Sequence, residues 1–377
     1  MATQRATQGA GTGAGPASFS GGAAPGAVQA VHHSGWKLAG CALLTLAGLI
    51  VLLRACRLGR RWRRRARLPT AQSRTGSRTT EPSPAALAAV LCHPGSMTKR
   101  ICVTGASGKA GRVTVAELLA HGYDVLATDR VRPPHDLGTG VLLADLTDYG
   151  QAVEVLAGTD AVVHLANIPA PDIHTPATTF NANMAMNFNV FHAAAQARIE
   201  RVVWASSETT LGLPFDVPPR YAPVDEDHYP FPTTTYALSK VASETIAAHI
   251  AAWSGVPFIG LRFSNILGPA EYEQFPSYWT DPPARRWNLW GYIDERDAAA
   301  ACRLALEAPA KGSASYIIAA ADTVMNRSSA GLLAEVFPGV PLTRDVGEFE
   351  SLLATGRARE SLGFVPQHSW RDHLAAR

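Results

Sequence analysis

The sequence predicts an α/β fold built on a parallel, doubly wound β-sheet. Short β-branched runs alternate with segments of helical spacing between residues 100 and 262, and a glycine-rich loop follows the first run. Strands that alternate with helices in this way form parallel sheets through right-handed crossovers. After Arg262 the alternation loosens, and aromatic residues and prolines accumulate. We therefore expect a small C-terminal substrate-binding region at the carboxyl edge of the sheet.

The predicted elements follow one another in a regular order. Arg100–Thr104 is a β-branched run that predicts the first strand. A helix is expected over 111–121, because Val115 and Leu118 fall on one face and Gly122 ends the pattern. The further predicted strands are 124–128, 141–143, 161–165, 201–205 and 257–262, and the further predicted helices are 151–157, 179–197 and 236–253.

Charge and cysteine content narrow the functional classes. Residues 1–96 carry 12 Lys and Arg against one acid, whereas residues 97–377 carry 22 basic and 30 acidic residues. A mildly acidic body argues against a nucleic-acid-binding surface. The five cysteines are scattered without a C-x-x-C pair, which indicates neither a disulfide framework nor a zinc site. A reducing, cytoplasmic location is the expectation for the folded part.

The first 96 residues differ in kind from the rest. Residues 1–30 are of low complexity, 38–53 form an uncharged apolar run, and 54–67 are densely basic. The segment 36–53 would be a short membrane anchor whose basic flank keeps the following chain on the cytoplasmic side. Alternatively, residues 1–96 are translated upstream of a natural start at Met97. The fold and the site predicted for residues 97–377 are the same in both cases.

A G-x-x-G-x-x-G loop joins the first predicted strand to the first helix. Gly105 permits the tight turn, Gly108 lets the backbone approach a pyrophosphate, and Gly111 lets helix and strand pack closely. The helix N-terminus that follows binds phosphate through its N–H groups. We therefore place a dinucleotide-binding Rossmann domain at 97–262 and the substrate-binding region at 263–377. The loop residues Ser107, Lys109 and Ala110 are also expected against the cofactor.

Asp129 ends the second predicted strand and bears on the choice of cofactor. A carboxylate there accepts hydrogen bonds from the adenosine ribose and repels a 2′-phosphate, which favours NAD. Arg130 follows directly and would instead attract that phosphate, so NADP is the alternative.

Tyr236 and Lys240 lie four residues apart in a predicted helix and therefore share a face. A neighbouring ammonium stabilises a phenolate, so that the tyrosine can act as a base near neutral pH. Lys240 can also hydrogen-bond the nicotinamide ribose. Ser206 and Ser207 follow the fifth predicted strand, where a hydroxyl can orient a substrate carbonyl or alcohol beside Tyr236. In this order, the three residue types predict hydride chemistry at a Ser–Tyr–Lys site.

Motifs spread over residues 99–373 carry a family resemblance. They are T-G-A-S-G-K-A-G at 104–111, A-D-L-T-D at 144–148, V-V-H-L-A-N at 162–167, F-N-A-N-M at 180–184, A-S-S-E-T-T-L-G at 205–212, Y-A-L-S-K at 236–240, L-R-F-S-N-I-L-G-P at 261–269, Y-I-D-E-R-D-A-A-A-A at 292–301 and L-G-F-V-P at 362–366. This collection resembles the extended short-chain dehydrogenase/reductase enzymes, the NAD-dependent epimerase/dehydratase group, and is highly specific for them.

The resemblance implies roles for further residues. Asp145 and Leu146 would flank the adenine, and Ala166 would lie against the cofactor. Asn183 would support the proton relay from its helix, and Ser207 would supply the catalytic hydroxyl.

Two departures from the family pattern bear on the chemistry. Leu211 replaces the usual aromatic residue before Gly212. Glu208 and Thr209 do not reproduce the Asp-Glu pair of the sugar-nucleotide dehydratases, so dehydration is not expected.

The stretch between Pro269 and Tyr292 is short. It holds 22 residues, which is too few for the nucleotide-diphosphate site of the sugar-nucleotide enzymes, and the layout looks more like that of the uronate dehydrogenases. Arg285 or Arg286 would clamp a substrate carboxylate or is a solvated loop charge, and Asn265 would contact the substrate.

Three functions stay open at this point. The leading hypothesis is an NAD-dependent dehydrogenase of a small sugar, sugar acid or polyol. The second is an epimerase that regenerates its NAD in each turnover, and the third is a non-catalytic NAD(P)-binding sensor or scaffold. We expect a homodimer that binds a small molecule but no metal and no nucleic acid, with membrane association only if 36–53 is an anchor.

Overall fold

The computed structural model describes residues 98–212 and 217–375. The two readings of residues 1–96, including the segment 36–53, lie outside the described residues. None of the helices in the described part of the chain combines the length and the hydropathy that crossing a bilayer requires.

Parallel strands form the centre of the fold. In the described residues they are β1 (Arg100–Thr104), β2 (Asp124–Asp129), β3 (Val141–Leu143), β4 (Ala161–His164), β5 (Arg201–Ser207), β6 (Phe258–Phe263), β7 (Ile266–Leu267), β8 (Ile293–Asp294) and β9 (Ser313–Ile318). Seven of them make one sheet in the order β3-β2-β1-β4-β5-β6-β9, and β7 pairs with β8 separately. The chain winds outward from β1 in both directions, which confirms the predicted doubly wound α/β fold.

Helices cover both faces of this sheet. They are α1 (Lys109–Ala120), α2 (Tyr149–Leu156), α3 (Pro176–Ala197), α4 (Thr235–Ser254), α5 (Glu295–Glu307), α6 (Ser329–Val336), α7 (Gly356–Leu362) and α8 (Trp370–Ala375), with 3₁₀ segments at Glu208–Leu211, Pro269–Tyr278 and Pro282–Asn288. Val103 packs with Leu118 of α1 and Ala301 of α5 in one core. Its neighbour Cys102 packs with Val190 of α3 in a second core on the opposite face. Alternate residues of a central strand thus serve the two cores.

A third core, rich in aromatic residues, holds the C-terminal part together. Tyr272 and Phe275 are fully buried in it with Trp290 and Met325, and Trp370 of α8 packs against Phe275 at 5.6 Å between ring centroids. This core fixes the segment 269–292, which runs from β7 to β8.

The range 263–377, expected to be the substrate-binding region, also supplies the seventh strand of the sheet. β9 pairs with β6 from Phe258 opposite Ser313 to Phe263 opposite Ile318. The strand lies at the sheet edge and begins with S-A-S-Y, residues that are small or only partly buried. Because these four residues are not β-branched, they give little of the sequence signal that predicts a strand. The predicted boundary at residue 262 therefore does not separate two domains. The chain leaves the sheet after β6 and returns to it at β9.

The other element bounds lie close to the predicted ones. α3 begins at Pro176, earlier than the expected 179, because proline is suited to the first helical turn and Thr175 Oγ1 accepts a hydrogen bond from Thr178 N at 3.4 Å. β5 runs on to Ser207, which pairs with Phe263. Ser207 is therefore held by the sheet itself.

The carboxyl ends of four strands meet at one edge of the sheet. The glycine loop follows β1, Asp129 ends β2, Ala166 follows β4, and Ser207 ends β5. β1 and β4 are the neighbours between which the strand order reverses, and ligands of doubly wound sheets bind at this point. The fold thus gathers the predicted cofactor-binding and catalytic residues.

Deletion of residues 1–96 should leave the fold and cofactor binding intact, because every strand of the sheet and the three cores described above come from residues 100–375. A chain that starts at Met97 should unfold within about 3 °C of the full chain, the shift that corresponds to less than about 1 kcal/mol. Circular dichroism melts and cofactor titration check this. Loss of cooperative unfolding in the shortened chain would show that the boundary is misplaced.

Candidate active site

The glycine loop is packed too tightly for side chains at two of its glycines. Gly105 has a φ of +69°, and a Cβ there would lie 2.6 Å from the Ala166 nitrogen. A Cβ on Gly111 would lie 2.0 Å from the Gly105 oxygen. Gly108 stands at the N-cap of α1 and donates its N–H to the same oxygen at 3.0 Å. The loop therefore brings backbone N–H groups and a bare helix N-terminus to the surface, as pyrophosphate binding requires.

The carboxylate of Asp129 ties the end of β2 to this loop. Its Oδ2 accepts a hydrogen bond from Ser107 N at 3.0 Å, and its Oδ1 accepts one from Val131 N at 3.2 Å. Ser107 Oγ donates to the Val131 carbonyl at 2.7 Å. Each carboxylate oxygen keeps a further lone pair. Asp129 can therefore still accept a hydrogen bond from a ribose hydroxyl at this position.

Lys109 opens α1, and its side chain has a protein partner. The ammonium lies 2.5 Å from Glu271 Oε1 and donates to the Ile266 carbonyl at 3.2 Å. Glu271 also accepts a hydrogen bond from Gly268 N at 2.8 Å. The ion pair joins the glycine loop to the segment that follows β7, a role that the sequence analysis does not foresee.

The residues expected at the adenine lie along the same edge. Asp145 is exposed and accepts hydrogen bonds from the backbone and hydroxyl of Thr147, which hold the pKa of its carboxyl below the usual value. Leu146 is buried, and Asn189 Nδ2 donates to its carbonyl at 3.0 Å. Ala166 N lies 3.2 Å from Thr104 Oγ1, beside Gly105.

Ser207, Tyr236 and Lys240 converge at the carboxyl end of β5. All three are buried. Ser207 Oγ accepts hydrogen bonds from Thr209 N at 3.2 Å and Thr209 Oγ1 at 3.0 Å. Lys240 Nζ lies 5.5 Å from the centre of the Tyr236 ring and donates to the Ala205 carbonyl at 2.8 Å. The structure thus brings together the three predicted catalytic side chains.

The pKa values of Tyr236 and Lys240 differ from those that the sequence leads us to expect. Burial raises the pKa of Tyr236 to about 12, and the Ser207 hydroxyl acts in the opposite direction. Burial lowers the pKa of Lys240 to about 7. The ammonium that the sequence analysis expects beside Tyr236 is therefore only partly present at neutral pH.

Asn183 connects the loop after β4 with the helix that carries Tyr236. Its Oδ1 accepts a hydrogen bond from Ile168 N at 2.8 Å, and its Nδ2 donates to Ile168 O at 3.1 Å and to Ser239 Oγ at 3.5 Å. Ser239 Oγ in turn donates to the Tyr236 carbonyl at 2.7 Å. Asn183 therefore supports the backbone around Tyr236.

Sequence reasoning misses a buried polar network centred on His164. Thr104 Oγ1 accepts from Leu165 N and Ala166 N, so its own proton goes to His164 Nδ1 at 2.7 Å. His164 Nε2 then donates to Asn187 Oδ1 at 3.0 Å. Burial lowers the pKa of His164 to about 3, which keeps the ring neutral. A histidine within the apolar run of β4 is the signal that would have revealed the network.

A second buried polar group, which we call the Glu208 cluster, consists of Glu208, Arg285 and Asn288. Glu208 follows Ser207 directly and is 3% exposed. Asn288 Nδ2 donates to Glu208 Oε1 at 3.3 Å. Burial raises the pKa of Glu208 to about 7, against the opposing effects of Ser264, Asn288 and the Arg285 charge. In the sequence, Glu208 is distinguished only as a departure from the dehydratase pattern.

The residues expected to bind substrate divide into two groups. Arg285 is buried, with its guanidinium 5.2 Å from the ring centre of Tyr278 and 5.0 Å from that of Trp287. Asn265 is partly buried and lies close enough to Glu208 to lower the pKa of that carboxyl. Arg286 is exposed, away from the cluster. Arg285 and Asn265, but not Arg286, thus belong to the neighbourhood of Glu208.

A comparison with known families decides the classification. The model of the NAD-dependent epimerase/dehydratase family matches residues 101–319, more than half of the chain and the whole of the sheet. The chain belongs to this family. It is accordingly an NAD-dependent enzyme of the extended short-chain dehydrogenase/reductase class, as the motifs predict.

Members of the family similar to this chain differ in the reactions named for them. L-arabinose 1-dehydrogenase (NAD(P)(+)) of Haloferax volcanii is 33% identical over 185 residues, which are 46% of this chain and 70% of that protein. Cinnamoyl-CoA reductase 2 of Arabidopsis thaliana is 32% identical over 274 residues, 65% of this chain and 79% of that protein. A crystal structure of UDP-galactose 4-epimerase superposes with a TM-score of 0.54 at 26% identity, covering 73% of this chain and 96% of the epimerase. Family membership therefore leaves the substrate open.

The residues present fit the NAD of this family. Side chains are excluded at Gly105 and Gly111 by backbone atoms, which leaves a cradle of main-chain groups at the start of α1 for the pyrophosphate. Asp129, Leu146 and Ala166 lie along the same edge of the sheet.

Gly111→Ala should weaken NAD binding by at least about tenfold, because overpacking of this kind costs about 1–3 kcal/mol. The added Cβ would lie 2.0 Å from the Gly105 oxygen and force the loop to move. Gly140→Ala is the control, since a Cβ there meets nothing within 4 Å. Intrinsic fluorescence titration measures both affinities, and a thermal melt establishes that each variant is folded. Equal affinity of the two variants would contradict the close packing.

Proposed function

We propose that the protein is an NAD-dependent dehydrogenase of a small sugar, sugar acid or polyol. The observation that carries the proposal is the convergence of Ser207, Tyr236 and Lys240, all buried, at the sheet edge that also bears the glycine loop. A family member without catalytic activity would have no need for this arrangement.

In the proposed reaction Tyr236 transfers the proton, and Ser207 hydrogen-bonds the substrate oxygen. In the oxidation direction the substrate alcohol loses a proton and a hydride, and bound NAD would accept the hydride. The Tyr236 oxygen, as phenolate, takes the hydroxyl proton. Ser207 Oγ accepts hydrogen bonds from Thr209, so its own proton serves the Tyr236 oxygen in this structure and can serve the substrate oxygen when substrate binds. In the reduction direction Tyr236 returns the proton.

Lys240 acts on the same phenolate. In its protonated form the Lys240 ammonium, 5.5 Å from the centre of the Tyr236 ring, favours the negative charge that the base requires. The nitrogen keeps two further donors beside its bond to Ala205, and these can reach a ribose hydroxyl. Lys240 would therefore serve both the tyrosine and the cofactor.

A small substrate is supported by the segment between β7 and β8. Its residues Tyr272, Phe275 and Trp290 pack in the aromatic core, so little of this short stretch is left to form the walls of a pocket. A nucleotide diphosphate needs more surface than this. The similarity to L-arabinose 1-dehydrogenase agrees with a free sugar as substrate.

One screen separates this proposal from its alternatives. NADH absorbance is followed with free sugars, sugar acids, polyols and nucleotide sugars. A dehydrogenase accumulates NADH in proportion to the substrate converted. An epimerase, the second candidate and the activity named for the 26% identical structure, interconverts its sugar without net NADH. Binding of NAD without any turnover would favour the sensor or scaffold.

We also propose that the protein is a cytoplasmic homodimer. Phe188 of α3 is 45% exposed and Trp253 of α4 is 58% exposed, and both rings contact His192 between them. A second copy of the chain would cover this apolar face. Sedimentation velocity of the protein with NAD would test the oligomeric state.

NAD should bind more tightly than NADP, because the Asp129 carboxylate opposes a 2′-phosphate. Asp129→Asn removes the charge but keeps an oxygen for the loop, so the ratio of the two dissociation constants should fall about tenfold. Fluorescence titration of wild type and variant with both cofactors measures the ratio. Tighter binding of NADP by the wild-type protein would refute the role given to Asp129.

Tyr236→Phe should cut turnover by roughly 10²–10⁴ with cofactor affinity nearly unchanged, as expected for loss of a general acid–base group. Lys240→Ala should impair both turnover and cofactor affinity, because it loses two roles. Tyr123→Phe is the matched control, since that hydroxyl donates to Glu307 at the opposite edge of the sheet. Steady-state kinetics and NAD titration check all three. Full activity of Tyr236→Phe would be incompatible with the mechanism.

A further inference from the structure

The Glu208 cluster lies within electrostatic reach of the catalytic tyrosine. Glu208 is the residue after Ser207, and its charge raises the pKa of Tyr236. Asn288 is fully buried, and Arg285 is 8% exposed. The proton relay described above uses none of these three side chains. A buried polar group beside a reacting oxygen needs another explanation.

Beside its bond to Asn288, the Glu208 carboxyl interacts with the Ser264 hydroxyl and the Asn265 backbone. Two other atoms of the cluster, Arg285 Nε and Asn288 Oδ1, have no hydrogen-bond partner within the described residues. Asn288 Nδ2 donates to the Gly291 carbonyl at 2.8 Å, and this bond fixes which way the amide points. Buried polar atoms are nearly always paired in folded proteins. Arg285 Nε and Asn288 Oδ1 therefore point to a polar ligand that pairs with them beside Glu208.

The unpaired atoms require a partner that both donates and accepts. An ionised Glu208 and the Asn288 carbonyl oxygen accept hydrogen bonds, whereas Arg285 Nε donates one. Neighbouring hydroxyl groups of a sugar can pair with all three groups, since a hydroxyl both donates and accepts hydrogen bonds. A carboxylate only accepts, so it would pair with Arg285 and leave its oxygens facing the other two acceptors.

The charge of Arg285 is already compensated within the chain. The guanidinium charge offsets part of the rise in the Glu208 pKa that burial causes. Arg285 Nη2 also donates to the Gly291 carbonyl at 3.2 Å. Tyr278 and Trp287 lie within cation–π distance of the same group. With Glu208 ionised, the pair presents no net charge to an incoming anion.

We propose that the Glu208 cluster selects uncharged, polyhydroxylated substrates and disfavours sugar acids, with Glu208 as the specificity-determining residue. The inference rests on the proposed function and narrows its substrate class to neutral sugars and polyols. It replaces the expectation that Arg285 clamps a substrate carboxylate, because Arg285 faces a carboxyl of its own chain.

The discrimination should depend on pH. Burial raises the pKa of Glu208 to about 7, and the charged or titratable groups that face it are Arg285 and Tyr236. A raised carboxyl pKa means that Glu208 is neutral at pH 6 and ionised at pH 8, whereas a sugar acid stays ionised at both. The Arg285 charge is therefore compensated at pH 8, where it gives the acid no net attraction, and uncompensated at pH 6, where it attracts the acid.

The experiment compares D-galactose with D-galacturonate and D-glucose with D-glucuronate, pairs that differ only at C6. At pH 8 the wild-type kcat/KM should favour the neutral sugar at least about tenfold, since the carboxylate of the acid would face the Glu208 and Asn288 oxygens without a net attraction to Arg285. In Glu208→Gln this preference should fall about tenfold, because glutamine keeps the size and one acceptor but not the charge. Its change between pH 6 and pH 8 should disappear.

The control is Glu335→Gln, which changes an exposed glutamate of α6 and should behave as wild type. Binding is measured separately by calorimetry in a Tyr236→Phe background with NAD, where turnover is suppressed. Thermal melts establish that Glu208→Gln is folded. The same ratio should appear in the dissociation constants as in the kinetics.

The outcomes distinguish the inference from the proposed function. A preference and pH dependence that persist in Glu208→Gln refute the role of Glu208, and the dehydrogenase proposal stands. A wild-type preference for the sugar acid at pH 8 also overturns the inference alone. If no sugar, polyol or sugar acid binds or reduces NAD, the proposed function itself fails, and the inference fails with it.

Discussion

The close approach of the glycine loop to the end of β4 is the constraint on which the whole site depends. Gly105 lies so near Ala166 that a Cβ would stand 2.6 Å from its nitrogen. Thr104 accepts the N–H groups of Leu165 and Ala166, which locks the ends of β1 and β4 together. Because α1 starts from this loop, its N-terminus is aimed at the crevice where the strand order reverses. Without this contact, the N-terminus of α1 would lie farther from that crevice.

The same contact is connected to α4, the helix of Tyr236 and Lys240, through neutral groups only. Thr104 donates to His164, His164 donates to Asn187, and Asn187 Nδ2 donates to Ser243 Oγ of α4 at 2.7 Å. A buried chain of this kind would suffer a large desolvation penalty if its histidine were charged. The lowered pKa of His164 avoids that penalty. A fully paired network of neutral groups favours one geometry, so the loop and the helix of Tyr236 are held in a fixed relation.

The parts of the molecule that the sequence predicts are those specified by patterns within a few neighbouring residues. Glycine spacing, β-branched runs and helical faces each extend over a few residues, and they predict the first six strands of the sheet, the loop and the Tyr236–Lys240 pair. β9 escapes prediction because an edge strand of small residues lacks such a signal. The Glu208 cluster escapes for a different reason. Its partners stand far apart in the sequence, so only the folded chain reveals that Arg285 faces Glu208.

The residues proposed for catalysis and those proposed for substrate selection have different structural supports in this chain. The sheet holds Ser207, whereas Arg285 and Asn288 sit on a 3₁₀ segment that tertiary packing alone must fix. The turn after that segment places two non-glycine residues in the left-handed region, Leu289 at φ +53° and Trp290 at φ +58°. Such residues cost roughly 1–2 kcal/mol each. Both side chains are fully buried, and burial of large apolar side chains contributes about 1.5–3 kcal/mol each, which outweighs the strain. The strained turn is thus stabilised from the aromatic core, and it presents the Arg285 and Asn288 side chains to Glu208 before any substrate arrives.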